Sequence, residues 1–138
     1  DNIGPETDIL ARFRVLLQTG LDVVTADECQ FFEESQIDDL RTIVDDYNVP
    51  VLCFGLRTDF RTRLFPGSSR LFELSDSITE IKTICECGLK ASVNARLDSH
   101  GRITTVGDQV YLGGNDTYIA MCYRCWKKRI REQADVNS

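Results

Sequence analysis

LDVVTADECQFFEESQIDDLRTIVDDYNVPVLCFGL, residues 21–56, carries the pattern from which an architecture can be built. Two apolar, β-branched runs flank it: LDVVTA (21–26) and VPVLCFGL (49–56). Runs of that length, bounded by glycine and charge, predict buried strands. Between them Ile37, Leu40, Ile43, Val44 and Tyr47 recur at helical spacing. Ser35, with Asp38 three residues on, predicts the helix start as a variant capping box, and Asn48 predicts its stop. Strand, helix and strand, with about a dozen helical residues between, predict a βαβ unit with parallel strands.

Outward from that unit the chain divides in character. Ile9, Leu10, Phe13, Leu16 and Leu17 predict a helix over 8–18, capped by Asp8 and followed by Gly20. Residues 57–69 read as a polar loop leaving the carboxyl end of the second strand, and 69–74 as a short helix. From Glu80 onward short alternating strands are expected at 81–84, 91–97 and 109–112, parted by turns at Cys87-Gly88, Ser99-His100-Gly101 and Gly113-Gly114-Asn115-Asp116. Tyr118 to Gln133 reads as a closing helix with a basic face of Arg124, Lys127, Lys128 and Arg131. There is no internal repeat.

Of the 138 residues 42% are hydrophobic and 28% charged, enough apolar material for a core and too much for disorder. The net charge of −6 argues against binding nucleic acid through its phosphates. No apolar run approaches the roughly 20 residues of a membrane helix. The opening Asp1-Asn2-Ile3-Gly4 has no basic residue of the kind that starts a secretory signal, and without an initiator methionine the chain is expected to be part of a longer protein.

Four of the six cysteines form two tight pairs, Cys85-Glu86-Cys87 and Cys122-Tyr123-Arg124-Cys125. Two short loops, each supplying two thiolates, satisfy the tetrahedral preference of zinc, so a closed structural site in a reducing compartment is expected. Asp27 and Glu28 follow directly on an apolar strand, where open α/β sheets place ligands and where a carboxylate can meet Mg²⁺ beside phosphates. Phe60 and Phe65 lie on a loop at the same strand end and could wall a pocket for a planar base, although aromatics in such a loop, taken on their own, more often tuck into the core. The glycine-rich stretch from Gln109 to Tyr118, pinned by the cysteine pairs at both ends, could form a lid. His100, the single histidine, is expected to be exposed and inert.

Together TADECQFF (25–32), VPVLCFGLRTDFRTRLFPGS (49–68), Lys82-Thr83-Ile84, the pair at 85–87 and VYLGGNDTYIAMCYRC (110–125) resemble the thymidine kinases shared by bacteria and animal cytosol. The resemblance covers about residues 21–126 and its motifs stand in family order. It implies part of a P-loop NTPase-like parallel α/β sheet, as a nucleotide-binding core over 1–79, and a small zinc-binding lasso domain with a terminal helix over 80–138.

It further implies transfer of the γ-phosphate of ATP to the 5′-hydroxyl of thymidine in the cytoplasm, with Mg²⁺ accompanying ATP, zinc as structural metal, a homotetramer, and dTTP as feedback inhibitor. By position Glu28 resembles the catalytic base. Asp27 resembles the Mg²⁺-associated carboxylate, in a nucleotide-contacting stretch with Cys29 and Gln30. Phe31, Leu56, Phe60 and Phe65 match residues around the pyrimidine. Asn94 faces the thymine methyl, the backbone at Gln109 and Tyr111 meets the base, and Tyr118 touches it. Cys85, Cys87, Cys122 and Cys125 match the metal ligands.

One departure stands out: no GxxxxGK[ST] occurs in the 138 residues. These residues alone are therefore expected to lack a phosphate cradle and to be weak or inactive catalysts. The competing readings are a non-catalytic zinc-ribbon interaction module and a kinase of another deoxynucleoside, such as deoxyuridine.

Overall fold

The structure is a computed structural model, and it describes residues 1–110 and 117–136. The chain divides into two compact units, one of residues 1–57 and 64–78, the other of residues 58–63 and 79–138.

The first unit is the βαβ motif with a helix on either side in sequence. Helix α1 (Ile9–Leu17) starts where Asp8 accepts the Ala11 N–H at 2.8 Å. Strand β1 (Val24–Ala26) pairs in parallel with β2 (Val51–Cys53), Val24 opposite Val51 and Ala26 opposite Cys53. Helix α2 (Glu34–Tyr47) joins them and ends at Asn48, which is left-handed at φ 54°. Ile9 and Phe13 of α1 pack with Ile37, Leu40 and Ile43 of α2 and with Val49 to form the core. Phe13 meets Tyr47 edge-on at 5.0 Å. Helix α3 (Pro66–Leu74) follows, with proline at its first turn.

Three expectations change here. Both strands are short and are not fully buried: alternation turns Val24, Ala26, Val51 and Cys53 toward the core, while Thr25, Leu52 and Phe54 are exposed. The cap of α2 is Glu33 rather than Ser35; the Gln36 side chain accepts the Glu33 N–H at 3.0 Å. Helix α3 begins at Pro66, three residues before its expected start, because proline's fixed φ suits the first helical position.

The second unit is built of ribbons. Strands β3 (Thr83–Ile84) and β4 (Lys90–Ala91) form an antiparallel hairpin across the first cysteine pair. Strand β5 (Val93–Leu97) pairs antiparallel with β6 (Thr117–Met121), from Val93 opposite Met121 to Leu97 opposite Thr117. Helix α4 (Tyr123–Val136) closes the chain. The closing helix therefore starts five residues later than its expected start. Thr117, Tyr118 and Ile119 suit a pleated strand as well as a helix, and pairing with β5 decides for the strand. Gln109 and Val110 are not in a strand, and the rest of that expected strand, with Tyr111 and the Gly113–Asp116 turn, lies outside the described residues. Val93, Ala95, Leu97, Ile103 and Met121 form this unit's core with Cys85 and Cys122. Among the described residues, no helix is long and apolar enough to cross a membrane.

Candidate functional site

In the first unit, the two carboxylates leave β1 on a turn held from several sides. Asp27 Oδ1 accepts the Glu28 N–H at 2.8 Å. Glu28 is left-handed at φ 53°, rare for a residue with a β-carbon, and it starts a 3₁₀ turn over Cys29–Phe31. The Cys29 N–H donates to the Phe54 carbonyl at 2.9 Å, tying the turn to the end of β2. Gln30 is buried; its Nε2 donates to Glu28 Oε2 at 2.5 Å and its Oε1 accepts the Leu56 N–H at 3.1 Å. One amide thus fixes the exposed Glu28 carboxylate and ties it to the chain after β2. Two glycines make the packing possible. A β-carbon on Gly55 would lie 2.6 Å from Gln30 Oε1, and one on Gly67 would lie 2.3 Å from the Cys29 carbonyl oxygen.

Apolar side chains border this turn. Phe31 is half exposed and meets the buried Phe65 edge-on at 5.6 Å. Leu56 is exposed, and its carbonyl accepts from Ser68 Oγ. Cys29 is fully buried, with its thiol donating to the Ala26 carbonyl at 3.2 Å. A hydrogen bond with Cys53, followed by burial, pushes the Cys29 thiol up.

In the second unit, residues 58–63 form a loop around the buried Asp59. Its carboxylate accepts the N–H groups of Arg61 at 2.8 Å and Arg63 at 3.0 Å, and the Gln109 Nε2 at 3.0 Å. The Gln109 side chain thus reaches Asp59. Phe60 is 1% exposed and sits against the Arg96 guanidinium, so in this unit it is packed rather than presented to solvent. Asn94 and Arg96 share the face of β5 opposite the core, and Tyr118 stands directly across from Arg96 on β6. Asn94 and Tyr118 are therefore diagonal neighbours on one ribbon face. Asp59 and Arg96 drew no attention in the sequence, although the charges inside LRTDF and VNARL were the available signal.

The four paired cysteines converge within this unit. Their sulfurs all lie within 4.8 Å of one another, and those of Cys87 and Cys122 are 3.7 Å apart. Tetrahedral zinc with Zn–S bonds near 2.3 Å needs sulfurs about 3.8 Å apart, so the donor set fits. Gly88, at φ +88°, lets the first loop turn back so that its N–H reaches the Cys85 carbonyl at 2.8 Å. The Cys125 N–H points at Cys122 Sγ at 3.4 Å. Hydrogen bonds from the backbone N–H groups of Cys122 and Cys87 draw the Cys85 thiol down to about 7. Side-chain hydrogen bonds to Cys122 and Cys87 push the Cys125 thiol up to about 12. Four sulfurs would leave no open coordination position, so a metal held there would be structural.

The family model described as "Thymidine kinase" matches residues 5–126. A thymidine kinase of Ruegeria pomeroyi is 44% identical over 129 residues, 93% of this chain and 65% of that protein. Thymidine kinases of Yersinia pseudotuberculosis and Escherichia coli K12 are each 46% identical, over 82% and 83% of this chain and 58% and 56% of theirs. The chain thus spans less than two thirds of the length of these curated relatives.

Proposed function

The chain belongs to the thymidine kinase family, and on that premise we propose that the full-length protein transfers the γ-phosphate of ATP to the 5′-hydroxyl of thymidine, giving dTMP. The observation that carries the reading is the turn at Asp27–Phe31, where a left-handed Glu28 is held by Gln30. Strained, over-determined residues of this kind cluster at functional sites. Phosphoryl transfer asks the protein mainly for positioning and charge stabilisation.

In the proposal Glu28 takes the proton of the nucleoside hydroxyl as that oxygen bonds to phosphorus. Gln30 holds the accepting carboxylate in place. Asp27 contacts the magnesium that enters with ATP as part of that substrate, and Cys29 contributes through its backbone. Phe31, Leu56 and Phe65 of the first unit, and Phe60, Asn94, Gln109, Tyr111 and Tyr118 of the second, are the proposed nucleoside-recognition residues. Zinc, bound by Cys85, Cys87, Cys122 and Cys125, supplies cross-linking alone. Residues 1–79 as part of a P-loop NTPase-like core and 80–138 as the lasso domain complete the reading. Family resemblance extends it to the cytoplasm, a homotetramer and inhibition by dTTP.

The test is Glu28→Gln in the full-length protein, which keeps shape and removes the base. Turnover is expected to fall by roughly 10²-fold or more, the size of general-base effects, with thymidine KM little changed. Unchanged turnover would remove Glu28 from this role.

A further inference from the structure

An arginine facing away from a ribbon's core ordinarily reaches into water, yet Arg96 is only 2% exposed. Its guanidinium carbon lies 3.7 Å from the centroid of the Phe60 ring and 5.4 Å from that of Tyr118. Its Nε donates to the Tyr118 hydroxyl oxygen at 2.7 Å, and its Nη2 donates to the Asp108 carbonyl at 3.0 Å. A β-carbon on Gly107 would come within 3.4 Å of Nη1, so the backbone closes over the group as well. One planar cation therefore fastens the 58–63 loop, strand β6 and Asp108, the residue just before the glycine-rich stretch.

We propose that Arg96 is a positioning residue for the pyrimidine base: it holds the Tyr118 ring in one orientation through the phenol oxygen and braces it, with Phe60, against a single guanidinium. The proposal rests on the reading of the preceding subsection that Tyr118 meets the nucleoside. Tyr118 remains half exposed while its hydroxyl is engaged, so the ring is the part left to meet a planar ligand. Stacking and forked donation both need the flat guanidinium, which a lysine ammonium cannot supply. Arg96 touches no reacting atom in this account. Its effect belongs to nucleoside affinity rather than to the chemical step.

The experiment measures thymidine KM, ATP KM and kcat in the full-length protein for wild type, Arg96→Met, Arg96→Lys, Tyr118→Phe and the Arg96→Met/Tyr118→Phe double variant. Arg96→Met is expected to raise thymidine KM about tenfold, the size of a lost charge-assisted hydrogen bond, while kcat and ATP KM stay within about threefold. Arg96→Lys is expected to recover less than half of that effect on a logarithmic scale. Tyr118→Phe, which removes one hydroxyl and is the mildest change, is expected to raise thymidine KM about threefold alone and less than about twofold in the Arg96→Met background.

Thymidine KM unchanged in Tyr118→Phe overturns the proposal even where the Arg96 variants fail to fold. So do a fall in kcat at constant KM and fully multiplicative effects in the double variant. Normal wild-type turnover with unaffected variants rejects Arg96 and leaves the kinase reading standing. A wild type that phosphorylates no thymidine overturns both.

Discussion

Gln30 shows how one side chain can set the geometry of another. Its amide donates to Glu28 and accepts from Leu56, and it does so while buried. Replacing it with alanine removes both bonds, each worth about 0.5–1.5 kcal/mol net. Glu28 also loses the contact that selects its rotamer. Gln30→Ala in the full-length protein is therefore expected to lower kcat about tenfold or more, because a misplaced base loses part of its general-base advantage. Chemical denaturation is expected to show a loss of about 1–3 kcal/mol. Wild-type kcat in a folded Gln30→Ala protein would show that Glu28 needs no holding. Gly67→Ala is a harsher probe of the same turn. Its new methyl would overlap the carbonyl oxygens of Cys29 and Phe32, which belong to backbone and cannot swing aside as a flexible side chain would.

Among the elements, what could be read from the sequence follows from where the forces are local. The βαβ unit was legible because Ile37, Leu40 and Ile43 repeat with the helical period between two apolar runs, and the parallel pairing follows from the connection. The cap at Asp8 was legible because a single side chain satisfies it. The β6 strand was not, since Tyr118, Ile119 and Met121 fit either periodicity and only pairing across to β5 separates the two. At the candidate site the carboxylates at the strand end could be named in advance, but the left-handed Glu28 and the burial of Arg96 arise from contacts distant in sequence. The cysteine pairs were legible from spacing alone, and they carry the prediction at this scale. A metal there would join the β3–β4 hairpin to the start of α4. Purified protein is expected to release one zinc per chain to a colorimetric chelator, and Cys125→Ser is expected to reduce bound zinc and lower the melting temperature, because binding of structural zinc is coupled to folding. Full zinc retention in Cys125→Ser would exclude that cysteine as a ligand.

At the scale of the whole molecule, binding and turnover are separable. The 138 residues include the proposed base and nucleoside-recognition residues but no GxxxxGK[ST] sequence to cradle the β- and γ-phosphates. Because phosphoryl transfer depends on those amides and that lysine for charge stabilisation, the 138-residue chain is expected to turn thymidine over at least about 10³-fold more slowly than the full-length protein. Nucleoside binding need not fall with it. If the chain retains the nucleoside site, thymidine at about 100 times its Kd should stabilise it by about 2.7 kcal/mol, seen as a rise in melting temperature by scanning calorimetry. ATP alone should produce no comparable rise. A thymidine-dependent rise with negligible turnover would locate nucleoside recognition within these residues and phosphate handling outside them. Turnover at the full-length rate would instead require a phosphate cradle built from the loops present here.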